Sequence, residues 1–267
     1  MKILLSWSSG KDSAWALHLL QRKHPGAVGA LLTTVNEAMN RVAMHGVRRE
    51  VLEAQANAAG LPLRVITIPH PCSNEIYESR MRAAVTEAVA DGFTHAAFGD
   101  LFLEDIRRYR ERQLAGSGLT PLFPVWGIPT DRLAHDMIGA GLKARLSCVD
   151  TRILGPSYAG REFNATLVAD LPAGVDPCGE NGEFHTCVYD GPMFEGPIRL
   201  HPGEKEIREP FAWADLTLAA DDVRTSAFPV PGSCSGSDAA SDAGARPRGG
   251  RRNRTWNTNT ARKNREA

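Results

Sequence analysis

Short apolar runs alternate with helix-length segments through the first half of the chain, and this alternation restricts the fold more than any other property. Residues 2–7, 28–35, 63–68 and 94–99 read as strands, with residues 122–126 as a fifth. Between them, residues 13–22, 47–59, 73–91 and 104–114 have helical spacing. Trp15, Leu19 and Leu20 mark the inner face of the first helix, Ser73 caps the third, and Gly60 and Gly92 are stops. Strands separated in this way build βαβ units, hence an α/β, Rossmann-like parallel sheet with helices on both faces. Right-handed crossovers put the loops that follow the strands along one edge, where ligands bind.

The second half differs. Residues 130–141 read as a helix and 143–150 as a strand. Then Gly155-Pro156, Pro172, Gly174, Pro177 and Gly179 break the pattern before strands at 184–189 and 211–218. We expect a nucleotide domain over 1–127, a smaller α+β domain over 128–219, and a disordered tail over 220–267. The tail is rich in Gly, Ser, Asp and Ala, and it cannot bury enough surface to offset its ordering entropy.

At the first strand-to-helix junction stands Ser8-Ser9-Gly10-Lys11-Asp12-Ser13. The first N–H groups of a helix lack intrahelical partners, and the helix dipole adds partial positive charge. Small residues let a phosphate approach the main chain, and Lys11 adds a full cation. Asp12 is out of place beside an anion unless a divalent metal bridges it to phosphate oxygens. The stretch therefore reads as a nucleotide-phosphate loop with Mg2+, and its spacing is not that of a Walker A loop. It resembles the S-G-G-x-D-S loop of the PP-loop ATP pyrophosphatases, departing at Ser9, where a positive φ would strain the backbone.

A second polar concentration runs from Asp176 through Cys178, Gly179, Glu180, Asn181, Gly182, Glu183 and His185 to Asp190. A loop so dense in polar groups is costly to build unless it serves a site. With Asn181-Gly182 as the turn, Glu180 and Glu183 emerge on either side, to position an amine, bind Mg2+ or act as a base. Two residues apart on a strand, Glu183 and His185 share a face. Cys178, His185 and Cys187 do not have a usual zinc spacing.

Three pieces together resemble the diphthine–ammonia ligase family of adenine nucleotide α-hydrolases: SSGKDS at 8–13, GDLFLEDIRRYRE at 99–111 and DPCGENGEFHTCVYDGPMF at 176–194. The resemblance implies a PP-loop domain of that type followed by a domain carrying the Glu/His loop. It implies an amide ligase that splits ATP to AMP and pyrophosphate and amidates a carboxylate with ammonia. Ser8, Ser9, Gly10, Lys11, Asp12 and Ser13, with Gly99 and Asp100, would hold ATP; Asp12 and Asp100 would hold Mg2+. Lys11, Asp12, Glu180, Glu183 and His185 would carry the chemistry. Arg107 and Arg110, three apart on a helix, share a face, so one of them is a candidate phosphate clamp; apart from the resemblance, His45 is a candidate adenine-side residue. The acceptor is a protein side chain or a small molecule, and a second copy of the chain is a candidate partner.

Composition narrows the classes. Net charge is zero, but residues 220–267 hold nine Arg/Lys against five Asp/Glu, leaving the body mildly acidic. Only this tail offers a polyanion such as RNA a surface. Five scattered cysteines without a C-x-x-C pair fit a reduced cytoplasmic protein. The core strand at residue 2 argues against a signal peptide, and no apolar run is long enough to span a membrane. Two rival readings are a tRNA-modifying enzyme using the basic tail and a non-catalytic nucleotide sensor with a weakened Ser9 loop.

Overall fold

A computed structural model describes residues 1–219. The expected tail lies outside the described residues. The first sheet contains β1 (Ile3–Ser6), β2 (Val28–Asn36), β3 (Arg41–Val42), β4 (Leu63–Ile68), β5 (His95–Ala97) and β6 (Thr120–Leu122). Its parallel strands lie in the order β4-β2-β1-β5-β6, with β3 antiparallel at the end of β2. The chain thus runs outward from β1 in one direction and returns to start again on its other side. That reversal opens a crevice beyond the C-terminal end of β1.

Alternation along β1 explains why the sheet is covered on both faces. Ile3 and Leu5 join the larger core with Trp7, and Leu4 joins a smaller one with Ala88 and Phe93. In the first half of the chain the larger core is covered by α1 (Lys11–Lys23) and α2 (Arg49–Ala58), and further on it also takes Leu133, Ala134, Met137 and Leu167; α3 (Asn74–Ala90) lends Ala88 to the smaller one. Ser73 caps α3 as expected, its hydroxyl accepting from Ile76 N–H. A charged helix, α4 (Glu104–Leu114), follows β5.

After α5 (Thr130–Gly139) comes a second, antiparallel sheet in the order β8-β7-β10-β9. Its strands are β7 (Lys143–Asp150), β8 (Phe184–Asp190), β9 (Leu200–Arg208) and β10 (Phe211–Leu218), and a short α6 (Ala165–Asp170) joins β7 to the loop before β8. Alternate residues Ala212, Ala214, Leu216 and Leu218 of β10 enter the same larger core as Leu5 and Leu17. The two sheets therefore share one apolar interior. Among the described residues, no helix is long and apolar enough to cross a membrane.

The structure corrects several details. The strand expected over 122–126 is Thr120–Leu122, because it pairs with β5 from Thr120 onward. The first helix begins at Lys11 and not at Ser13, with Gly10 as its N-cap. Strand β9 is unexpected: Pro202, Gly203 and a run of charges hide it, and it is held by its register with β10.

Candidate functional site

Residues 8–13 cross the end of β1 at the crevice. Ser9 adopts φ 68°, the left-handed region that the family glycine would occupy without strain. Ser9 is fully buried, and its hydroxyl oxygen has no hydrogen-bond partner. The backbone compensates: the Ser9 carbonyl accepts from Val188 N–H at 2.9 Å and from Nε2 of Gln55 at 3.1 Å. Gln55, completely buried on α2, also donates to the Val188 carbonyl at 2.6 Å and accepts from the Trp7 indole at 3.0 Å. Ser13 closes the turn, donating to the Gly10 carbonyl at 2.9 Å and lying 3.2 Å from the Ser8 hydroxyl.

Lys11 is 2% exposed, and its ammonium donates to both oxygens of Asp12 at 2.9 Å and to the Cys178 carbonyl. It also lies over the rings of Phe184 at 5.5 Å and Phe163 at 5.6 Å. Burial pushes the Lys11 ammonium down, and Asp12, Cys178 and Glu180 more than reverse this, so it keeps its proton. Its backbone N–H goes to Oγ1 of Thr186 at 3.0 Å. Strand β8 of the second sheet thus forms a wall of the 8–13 loop.

Gly99 meets the loop from β5. A Cβ there would lie 2.8 Å from backbone atoms of Asp12 and Ser13, so only glycine permits this approach. Asp100 faces Arg110, with Oδ2 3.5 Å from Nε, and neither atom has a hydrogen-bond partner. Arg110 also stacks on Phe98, 5.0 Å from the ring centroid. Arg107 lies instead between Phe123 and Trp126 and pairs with Glu111, so of the two arginines it is Arg110 that reaches Asp100.

The 176–183 loop is self-bracing. Asp176 accepts from Cys178 N–H at 2.8 Å, Glu180 N–H at 3.2 Å and Thr130 Oγ1 at 2.6 Å. Glu183 is 3% exposed and turns into its own loop, where Oε1 accepts from Asp176 N–H at 3.1 Å and Asn181 Nδ2 at 3.0 Å. Its Oε2 has no hydrogen-bond partner. Glu180 points the other way. It accepts from Leu101 N–H at 2.9 Å, beside Asp100. Burial pushes its carboxyl up to about 8, with Asp12 repulsion adding to this. The two glutamates therefore separate: one reaches the crevice and one braces the loop. His185 stacks on His45, ring centroids 4.6 Å apart, and this partner was not legible from spacing.

Among the described residues, no group of three or more His, Cys, Asp or Glu side chains is arranged to hold a metal ion, which also removes the zinc reading of Cys178, His185 and Cys187. Mg2+ needs less from a protein: one or two carboxylates plus phosphate oxygens and water suffice. The two carboxylates at this edge are Asp100, whose Oδ2 takes no hydrogen bond and faces Arg110 at 3.5 Å, and Asp12, both of whose oxygens accept from Lys11; to hold Mg2+ they would have to share themselves with the ion.

Residues 1–121 match the family model of the diphthamide synthase N-terminal domain, and residues 129–219 that of the diphthamide synthase C-terminal domain. A diphthine–ammonia ligase of Danio rerio is 27% identical over 241 residues, covering 81% of this chain and 92% of the relative. A diphthine–ammonia ligase of Schizosaccharomyces pombe is 34% identical over 97 residues, which is 34% of this chain and 16% of that relative.

Proposed function

The chain belongs to the diphthamide synthase family, and from that premise we propose that it is an ATP-dependent ligase joining ammonia to a carboxylate of the kind carried by diphthine. One observation carries the reading: Glu180, from the C-terminal half, sits on the Leu101 N–H beside Asp100, within electrostatic reach of Lys11 and Asp12. Nucleotide loop and acceptor loop share one centre. We infer the same division of labour for the chain, residues 1–127 serving ATP and 128–219 the acceptor.

The chemistry has two steps. The acceptor carboxylate oxygen attacks the α-phosphorus; a P–O bond forms, the bond to the bridging oxygen breaks, and pyrophosphate leaves. Ammonia then attacks the acyl carbon; a C–N bond forms, the C–O bond to AMP breaks, and AMP departs with the electron pair. Lys11 and the N-terminus of α1 offset charge on the phosphates. Mg2+, held by Asp12 and Asp100, would supply further charge neutralisation on the phosphate oxygens. Glu180 is the group placed to take the proton released from nitrogen; with its carboxyl raised to about 8 it is largely protonated at neutral pH, so this role strengthens as pH rises toward that value. Glu183 and Asp176 keep the loop in shape, and His185 lines the phosphate end.

The rival readings have less support. An RNA-modifying role rests on the tail, which lies outside the described residues, and a sensor has no use for the Glu180 loop. The test is product analysis with ATP, Mg2+, ammonium and elongation factor 2 bearing diphthine. AMP and pyrophosphate in equal amounts, dependent on ammonium, are expected. ADP and phosphate, without AMP, would overturn the proposal.

A further inference from the structure

Two imidazoles lie against the first turn of α1, and one of them, His45, has no part in the chemistry above. A methyl group on Gly10 would stand 2.7 Å from Cε1 of His45 and 3.2 Å from Nδ1, so the ring covers the N-cap of α1. That is the end of the helix to which a phosphate would come. Nδ1 lies 3.1 Å from the carbonyl oxygen of Thr186. A carbonyl only accepts, so Nδ1 carries the proton and the neutral ring keeps its lone pair on Nε2. Nε2 has no hydrogen-bond partner among the described residues.

The ring is held from both sides. His185 of β8 stacks on it, the planes inclined at 36°. The turn behind it is stapled to β10: Arg48 makes a two-pronged pair with Asp215 at 2.8 and 2.6 Å, and Arg41 joins the same carboxylate at 2.9 Å. Gly46 seats against Trp213, where a Cβ would lie 2.8 Å from Cδ1.

We propose that His45 is a phosphate-binding residue that takes a proton from solvent as nucleotide arrives, turning Nε2 from an acceptor into a donor to a phosphate oxygen. The inference rests on residues 8–13 being the nucleotide loop. Without nucleotide, the surroundings oppose protonation. Burial is the largest cause, and Lys11 on α1 adds a like charge, holding His45 at about 4 against the help of the Thr186 carbonyl. His185 is held well below its ordinary value by burial, His45 and Lys11. The charges that could counter this are already engaged: Asp12 by Lys11, and Asp215 by Arg41 and Arg48. A polyphosphate brings several negative charges to the same helix end and reverses the balance. The resulting N–H to phosphate bond is charge-assisted, and a pKa raised by binding is proton uptake.

The test is calorimetric titration of the full chain with the unreactive analogue α,β-methylene-ATP and Mg2+, in buffers of different ionisation enthalpy. The wild type should take up more protons per analogue bound than His45→Gln, whose amide still reaches the Thr186 carbonyl. Wild-type affinity should fall as pH rises through neutrality, and the variant should bind about 10-fold more weakly at mildly acidic pH, with a flatter profile. Equal proton uptake by the two proteins would overturn the proposal. Should the variant not fold, the wild type decides alone: uptake no greater than the analogue's own titration overturns it. Absence of any analogue binding would bring down both this inference and the nucleotide-loop reading, whereas tight binding without proton linkage removes only the role of His45.

Discussion

The first backbone N–H of α1, that of Lys11, is given to the side chain of Thr186, 3.0 Å away and 175 positions along the chain. A helix start that would offer this donor to a ligand instead gives it to the second sheet. The Ser9 carbonyl accepting from Val188 N–H and the Lys11 ammonium donating to the Cys178 carbonyl extend the same seam. The 8–13 loop is therefore shaped by residues far beyond the sheet that presents it.

Glu180 makes stability depend on pH in an uncommon direction. Its folded carboxyl sits at about 8, raised by burial and by Asp12, well above the ordinary glutamate value of about 4.5. Between those values the folded chain holds a proton that the unfolded chain has lost, so stability falls as pH rises through the window. Glu180→Gln keeps an acceptor for Leu101 N–H and removes the titration. Urea unfolding from about pH 4 to pH 9 should show the variant gaining on the wild type up to about pH 8 and level above it. A constant gap across that range would contradict the burial of this charge.

Ser9 carries a left-handed φ of 68° and a buried hydroxyl without a partner. Each is unfavourable, the backbone term by about 1–2 kcal/mol. Ser9→Gly should raise the unfolding free energy by about 1 kcal/mol, since the freedom glycine gains in the unfolded chain offsets part of the relief. Thermal or denaturant melts measure it, and a drop in stability would mean that the hydroxyl has a favourable role.

Gly99 has no room for a methyl group, because the obstacle is the backbone of Asp12 and Ser13 at 2.8 Å. Gly99→Ala should lose about 1–3 kcal/mol of stability and weaken ATP binding with it, since the displaced atoms belong to the phosphate loop. Binding unchanged beside a clear loss of stability would show that the loop absorbs the push elsewhere.

Gln55 is the buried tie between loop, strand and indole. Gln55→Leu matches its bulk while stranding the Trp7 N–H and the Val188 carbonyl. A loss of about 2–4 kcal/mol is expected. The near-ultraviolet dichroism of the Trp7 environment should change with it, and near-neutral stability would refute this account.

The parallel sheet and the main helices were readable because strand-length apolar runs and helical patterns are local, and β1 shows both of its faces in Ile3, Leu4 and Leu5; the order of the strands was not. The strand–turn–helix junction at 8–13 was readable because an apolar strand, a run of small residues and a helical pattern follow one another directly. What stayed hidden is non-local. Gln55 looks like any polar residue of an amphipathic helix until its three partners are seen. His45 gains meaning only from Gly10 and His185, which fold onto it from distant parts of the chain. Strand β9 conceals itself in Pro202 and its charges, since both of its faces are largely exposed and only pairing with β10 defines it.

The seam between β8 and the phosphate loop also limits how such a chain can be recombined. Gln55 and His45 come from the first half, yet their partners Val188, Thr186 and His185 come from the second. A chimera cut near residue 128 would have to inherit matched sets on both sides of the cut, or its 8–13 loop would be misshapen from birth. Heredity should therefore treat these two halves as a single exchangeable part.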